Sequence, residues 1–169
     1  MKPAVGAGSS GVRRFKKDSP DLEEHFRNLN KNGFKQKFPF GEFDYSPCDT
    51  IVQQYAPEIT QYGEISLIFF GGEYSHCVSK MVKTGDYRAH PIWGAKVELY
   101  DPSEREIQVA VDSLRVVGFP TEFARIDMIP SKPEPMLIEV ELIDPFLFFE
   151  HVPETANTYA DHIKQCLNR

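Results

Sequence analysis

The stretch TEFARIDMIPSKPEPMLIEVELIDPFLFF, Thr121 to Phe149, decides how the rest of the chain is read. FARIDMI and MLIEVELI are rich in β-branched and apolar residues, and SKPEP between them is a turn signal, so the stretch reads as a β-hairpin. A turn centred near Pro133 sets Asp127 opposite Glu139 and Arg125 opposite Glu141. Side chains on a strand alternate faces, so Glu139 and Glu141 point the same way. Asp127, Glu139 and Glu141 then share one patch flanked by apolar residues. Like charges held that close raise one another's pKa and cost stability unless a cation joins them. Hard oxygen ligands without a Cys or His set suit Mg²⁺ better than zinc. Two readings stand side by side: a metal site on a hairpin, or a solvated acidic face.

Working outward, the totals set bounds. The 169 residues suffice for one ordinary core or for two small lobes. A net charge of −6 argues against a general nucleic-acid binder, which needs a basic surface. An anionic ligand must therefore meet a local cluster of Lys and Arg, or a metal. The longest apolar run, ISLIFF from Ile65 to Phe70, is far too short to cross a bilayer, so no membrane partner is expected. The N-terminus is Gly-rich and then basic, with no apolar signal region. Cys48, Cys77 and Cys166 are widely spaced, form no zinc pattern and point to a reducing, cytoplasmic setting. Each reads as a buried or incidental thiol rather than a nucleophile.

KPAV reads as the end of a strand, and GAGSSG as a flexible loop whose free backbone N–H groups can wrap a phosphate chain, with Lys2 just before it. The competing account is a mobile terminus. The loop is not a Walker A motif, because no Gly-Lys-Ser/Thr closes it. DSPDLEEHFRNLNKNG predicts a short helix capped by Asp18 or Ser19, with Leu22, Phe26 and Leu29 as its stripe and Gly33 as its end. FKQKFPFGEFDYSP reads as an irregular segment pinning its aromatic rings on the core. CDTIVQQYAPEI predicts a strand, and QYGEISLIFFGGEYSHCVSKMV a hairpin turning at Gly71-Gly72. His76 reads as a hydrogen-bonded structural histidine. Lys80, Lys83, Arg88 and Lys96 lie in loop or short-strand context, where cations can stabilise a phosphate or simply face solvent. PSEREIQVAVDSLRVVG is the best helix: Ser103 caps it, Glu106 holds the capping-box position, and Ile107, Val111, Leu114 and Val117 form its buried stripe. ETANTYADHIKQCLNR predicts a terminal helix.

KPAVGAGSSG, IVQQYAPEI with GEISLIFFGGEYSHCVSK, GDYR, ARID and IEVELIDP occur in the order found in ATP-grasp proteins. The chain resembles the ATP-binding part of their glutathione-synthetase-like and cycloserine-ligase-like members over nearly its whole length. The resemblance implies an α+β fold, with residues 1–54 forming part of the small lobe and residues 55–169 the large lobe. It implies ATP clamped between such lobes, with Mg²⁺, and a carboxylate joined to an amine or thiol through an acyl phosphate. Under it, Lys2 touches the phosphates and Gly6, Gly8 and Ser9 belong to the loop that folds over them. Gln53, Gln54 and Tyr55 form the hinge that reads adenine, and Glu64 holds the ribose hydroxyls. Asp127, Glu139 and Glu141 take the positions of the magnesium ligands, although many relatives carry Asn where Glu141 stands. Lys80 and Arg88 match cations that stabilise the transferring phosphoryl group; Ser66 stands where relatives place an Arg, leaving Arg88 more of that role.

The family pattern normally has more chain before the lysine strand, whereas Lys2 is here the second residue. The sequence therefore reads as a piece of a ligase or as a shortened product, with FKQKFPFGEFDYSPC as an insertion. An incomplete small lobe leaves a sheet edge open to self-association. The alternative to a ligase acting on small-molecule carboxylates and amines is a catalytically inactive remnant that binds nucleotide or protein.

Overall fold

Glu64–Phe70 and Phe123–Ile129 are rich in apolar residues on both parities and are buried on two faces, as the central strands of the larger sheet should be. The computed structural model describes residues 1–168. It divides into two compact units, Met1–Pro57 and Glu58–Arg169.

In the first unit, β1 (Lys2–Pro3) pairs antiparallel with β4 (Thr50–Ile51), and β2 (Phe34–Phe38) pairs with β3 (Gly41–Tyr45). Helix α1 (Leu22–Arg27) runs into a wider turn, Asn28–Asn32, that ends at Gly33 with φ 76°. Two expectations fail at this helix. No side chain at Asp18 or Ser19 caps it; the N-cap is Asp21, and the Asp21 carboxylate pairs instead with Arg13 at 2.5 Å. Of the expected stripe only Leu29 is fully buried, because His25 turns inward to put Nε2 2.9 Å from the Gly11 carbonyl oxygen while Phe26 stays exposed. The Phe-rich segment is also not irregular. Its alternation builds the β2–β3 hairpin, with Phe34 stacked on Tyr45 across the strands at 4.8 Å and Phe38 on Phe40 at 5.3 Å. The strand expected in CDTIVQQYAPEI shrinks to Thr50–Ile51.

The second unit begins with a short helix, α2 (Ile59–Tyr62), and carries a five-stranded antiparallel sheet. The sheet order is β7 (Lys96–Leu99), β6 (Glu73–Met81), β5 (Glu64–Phe70), β8 (Phe123–Ile129), β9 (Met136–Glu141). The turn between β5 and β6 falls at Gly71-Gly72, both at positive φ, the conformation a two-residue hairpin turn requires. One face of the sheet buries Ile65, Leu67, Phe69, Ala124, Ile126 and Met128 against Ala110, Ile107 and Leu114 of α3 (Glu104–Val117). That helix has the full Ser103–Glu106 capping box and ends at Gly118 in the left-handed conformation. The other face packs Ile68, Phe70 and Val78 against Phe148 and against Tyr159 of α4 (Thr155–Leu167). His76 is buried beside it, with Nε2 2.8 Å from the Leu147 carbonyl oxygen, as a structural histidine should be. The result is an α+β fold. Among the described residues no helix is long and apolar enough to cross a membrane.

Candidate metal and phosphate site

The face that carries Ile68 and Phe70 is apolar at one end and charged at the other, because the residues at the same parity of β5 continue as Ser66 and Glu64. Strand pairing sets Glu64 opposite Lys80, Ser66 opposite Asp127, Asp127 opposite Glu139 and Arg125 opposite Glu141. Register alone thus assembles four acids and two cations on four adjacent strands. A bulge after Asp127 on the β8–β9 pair shifts the register beyond that point.

Asp127 is the centre of the group and is 2% exposed. Arg125 Nε and Nη2 donate to its carboxylate at 3.0 Å, Ser66 Oγ donates at 2.5 Å, and Lys80 Nζ lies 3.5 Å away. Arg125 Nη2 also donates to Glu141 at 2.5 Å, and Lys80 forms an ion pair with Glu64. Oxygens of Asp127, Glu139 and Glu141 lie within 4.8 Å of one another. Burial pushes Asp127 up, but the charges of Lys80 and Arg125 outweigh it and hold the carboxyl below its ordinary value. Burial raises Glu64 to about 7, the Asp127 charge adding to this and Lys80 opposing it. Burial lowers Lys80, yet Glu64 and Asp127 together hold the ammonium above its usual value. Burial also raises Glu141, against the pull of Arg125 and with the Asp127 and Glu139 charges adding.

With all groups ionised, Glu64, Asp127, Glu139 and Glu141 exceed Lys80 and Arg125 by two negative charges. An oxygen-only donor set with that excess, opening to solvent at the exposed Glu139, fits a hard divalent cation such as Mg²⁺.

The other expected site residues fall into separate sets. Arg88 lies in the loop before β7, bound by Nη2 to Asp86 at 2.6 Å and stacked over the Trp93 ring at 3.8 Å. This loop lines a shallow hollow of about 580 Å³ with Lys83, Ile92 and Trp93. In the first unit, Lys2 sits on β1 opposite Ile51. Gly6, Gly8 and Ser9 form a turn in which Gly8 and Ser9 both have φ 58°. Gln53 and Gln54 are exposed in an irregular segment after β4, and Tyr55 carries Arg14 over its ring at 4.6 Å. Three residues are not among the site residues expected from the sequence: Arg125, Ser66 and His90. Arg125 was legible in principle, since hairpin register already set it against Glu141, whereas Ser66 meets Asp127 only through the β5–β8 pairing. His90 is a loop residue whose imidazole is held below its ordinary pKa by burial and then by the Lys80 and Arg125 charges.

Residues 44–145 match the family model of the RimK-like ATP-grasp domain. The chain belongs to that family. It is similar to the cycloserine biosynthesis protein DcsG of Streptomyces lavendulae, at 23% identity over 176 residues, covering 99% of this chain and 54% of that protein. It is similar to the glutathione synthetase of Prochlorococcus marinus subsp. pastoris (strain CCMP1986 / NIES-2087 / MED4), at 23% identity over 112 residues, covering 66% of this chain and 32% of that protein. The fold matches the crystal structure of D-cycloserine synthetase DcsG with a TM-score of 0.72 and 24% identity, over 98% of this chain and 54% of that one. The chain thus spans about half the length, or less, of the curated relatives it matches.

Proposed function

We propose that this chain binds ATP with Mg²⁺ and is the ATP-binding part of a ligase that joins a carboxylate to an amine or thiol through an acyl phosphate. The observation that carries the reading is the convergence of Asp127, Glu139 and Glu141 inside a chain of the ATP-grasp family. Bound metal supplies charge neutralisation at the phosphate oxygens as a phosphoryl group moves. The chain's own residues supply position and field. Arg125 and Ser66 fix the Asp127 carboxylate, and Lys80 offers its ammonium to the same group. Arg88, with two of its nitrogens committed to Asp86, turns its remaining N–H groups to an anionic substrate in the loop hollow. In the first unit, Lys2, Gly6, Gly8 and Ser9 act on the phosphates and Gln53, Gln54 and Tyr55 on adenine; in the second, Glu64 acts on the ribose. These roles rest on the family resemblance.

A cytoplasmic setting agrees with three free cysteines, and the open edges of β7 and β9 leave self-association available. A second reading is a nucleotide- or protein-binding module without ligation.

Thermal unfolding tests binding. ATP at about 100 times its dissociation constant adds about 2.7 kcal/mol to the native state, so the midpoint rises with Mg²⁺ and ATP together. A midpoint unmoved by the pair contradicts the ligase reading and the nucleotide-binding form of the second. ADP release against a panel of carboxylates and amines supports the first reading, and binding without release supports the second.

A further inference from the structure

Away from the acidic group, the described residues hold a second convergence. His162 and Cys166 are four residues apart on α4 and share one helical face. Both reach Glu122, the residue just before β8: His162 Nε2 lies 2.6 Å and Cys166 Sγ 2.8 Å from the same carboxylate oxygen, Oε2, and 3.5 Å from each other. Glu122 is five residues from Asp127 along an extended strand, or about 16 Å, so the two groups are distinct.

The cluster is built into the fold rather than gathered by chance on a mobile surface. Tyr159, one turn before His162, packs on Phe70 at 4.9 Å and on Phe123 at 6.0 Å. Those rings adjoin Gly71 and Glu122 in sequence, and the Gly71 N–H donates to the Glu122 carbonyl at 3.0 Å. A Cβ at Gly71 would fall 2.5 Å from His162 Cε1 and 2.9 Å from Nδ1, so the hairpin glycine is also what admits the imidazole. His162 is largely enclosed, with 16% of its side chain exposed, while Glu122 opens to solvent at 51%.

We propose that Glu122, His162 and Cys166 form a zinc site with one position left to water, tying α4 to the start of β8. A thiolate, an imidazole and a carboxylate are the ligand types zinc selects, and the thiolate excludes Mg²⁺ as the preferred occupant. Zinc bonds of about 2.0–2.3 Å in a tetrahedron need donors about 3.4–3.6 Å apart, so the carboxylate has to withdraw by less than about 1 Å. Its exposed side chain allows that. On binding, the Cys166 thiol proton passes to solvent; His162 Nε2, which donates to the Glu122 carboxylate in the metal-free protein, gives up its proton to take the metal, and the imidazole then carries its one proton on Nδ1.

The test uses the full, reduced, metal-stripped chain in excess Mg²⁺, which occupies the acidic group, titrated with Co²⁺ and then Zn²⁺. The expected result is a thiolate-to-cobalt charge-transfer band that saturates at one equivalent and is bleached by Zn²⁺. The band disappears in Cys166→Ser and survives in Cys77→Ser. His162→Gln weakens Zn²⁺ binding on the order of 100-fold, since even partners one step removed from a metal change affinity by about 10- to 100-fold. Zn²⁺ raises the thermal midpoint of the parent chain and not of Cys166→Ser, and both bind Mg²⁺ and ATP alike. No charge-transfer band in the parent, or a band unchanged in Cys166→Ser, overturns the proposal and leaves the ATP reading untouched.

Discussion

Arg125 joins Asp127 to Glu141: one guanidinium nitrogen, Nη2, lies 3.0 Å from the first carboxylate and 2.5 Å from the second. Arg125 and Asp127 share a face of β8, and Glu141 is the register partner of Arg125 on β9. The arginine therefore stands in for part of the positive charge the acids require. Arg125→Ala leaves buried carboxylates without their cation and costs about 3–5 kcal/mol of stability. Urea denaturation checks this as a lower midpoint, and saturating Mg²⁺ recovers part of the loss.

Ser66 holds the same acid from the opposite strand through a 2.5 Å hydrogen bond. A bond to a charged group contributes about 1.5–3 kcal/mol, so Ser66→Ala destabilises by that order. The double variant with Arg125→Ala costs less than the two single losses together, because both act on Asp127. Chemical denaturation of the four proteins measures the coupling.

Glu64 gives the unit a pH dependence of definite sign. Its folded value, raised to about 7 by burial, lies above the ordinary 4.5, so between those values the native state binds more protons than the unfolded one. Stability from this group is full below pH about 4.5 and is lost as pH rises through about 7. Glu141, also raised, acts in the same direction. The depressed Asp127 acts oppositely but only in more acidic solution, below its ordinary 3.8. Thermal midpoints recorded across pH 5–7.5 should fall more steeply in the parent chain than in Glu64→Gln.

Ser103 offers a control remote from this chemistry. Its side chain accepts from the Glu106 N–H at 3.3 Å and completes the capping box of α3. Ser103→Ala lowers stability by about 0.5–2 kcal/mol and leaves Mg²⁺-dependent ATP binding unchanged. Denaturation and calorimetry on one sample separate the two effects.

The hairpins of the larger sheet were legible because their signals are local. Gly71-Gly72 fixes one turn, and alternation in FARIDMI and MLIEVELI fixes which side chains meet, so the Asp127–Glu139 and Arg125–Glu141 pairs followed from counting outward from Pro133. The helix α3 was equally plain from its cap. What failed was decided by contacts with residues outside the element itself. Asp21 was claimed by Arg13, which left α1 without a side-chain cap, and the Gly11 carbonyl drew His25 inward in place of Phe26. The Phe-rich segment was hidden by its Pro-Phe-Gly turn, and only cross-strand stacking of Phe34 on Tyr45 reveals a hairpin. The second convergence was invisible for another reason. Glu122 lies forty residues from His162, and only the closed sheet brings α4 to the start of β8.

Isothermal calorimetry of ATP with the parent chain and with Glu139→Ala, each with and without Mg²⁺, tests the central claim most directly. Glu139 is exposed, so its removal leaves the fold in place while deleting one oxygen donor. The account predicts a heat of binding in the parent that depends on Mg²⁺, weakened at least about 10-fold in Glu139→Ala. Equal heats in the two proteins, or heats indifferent to Mg²⁺, would contradict it.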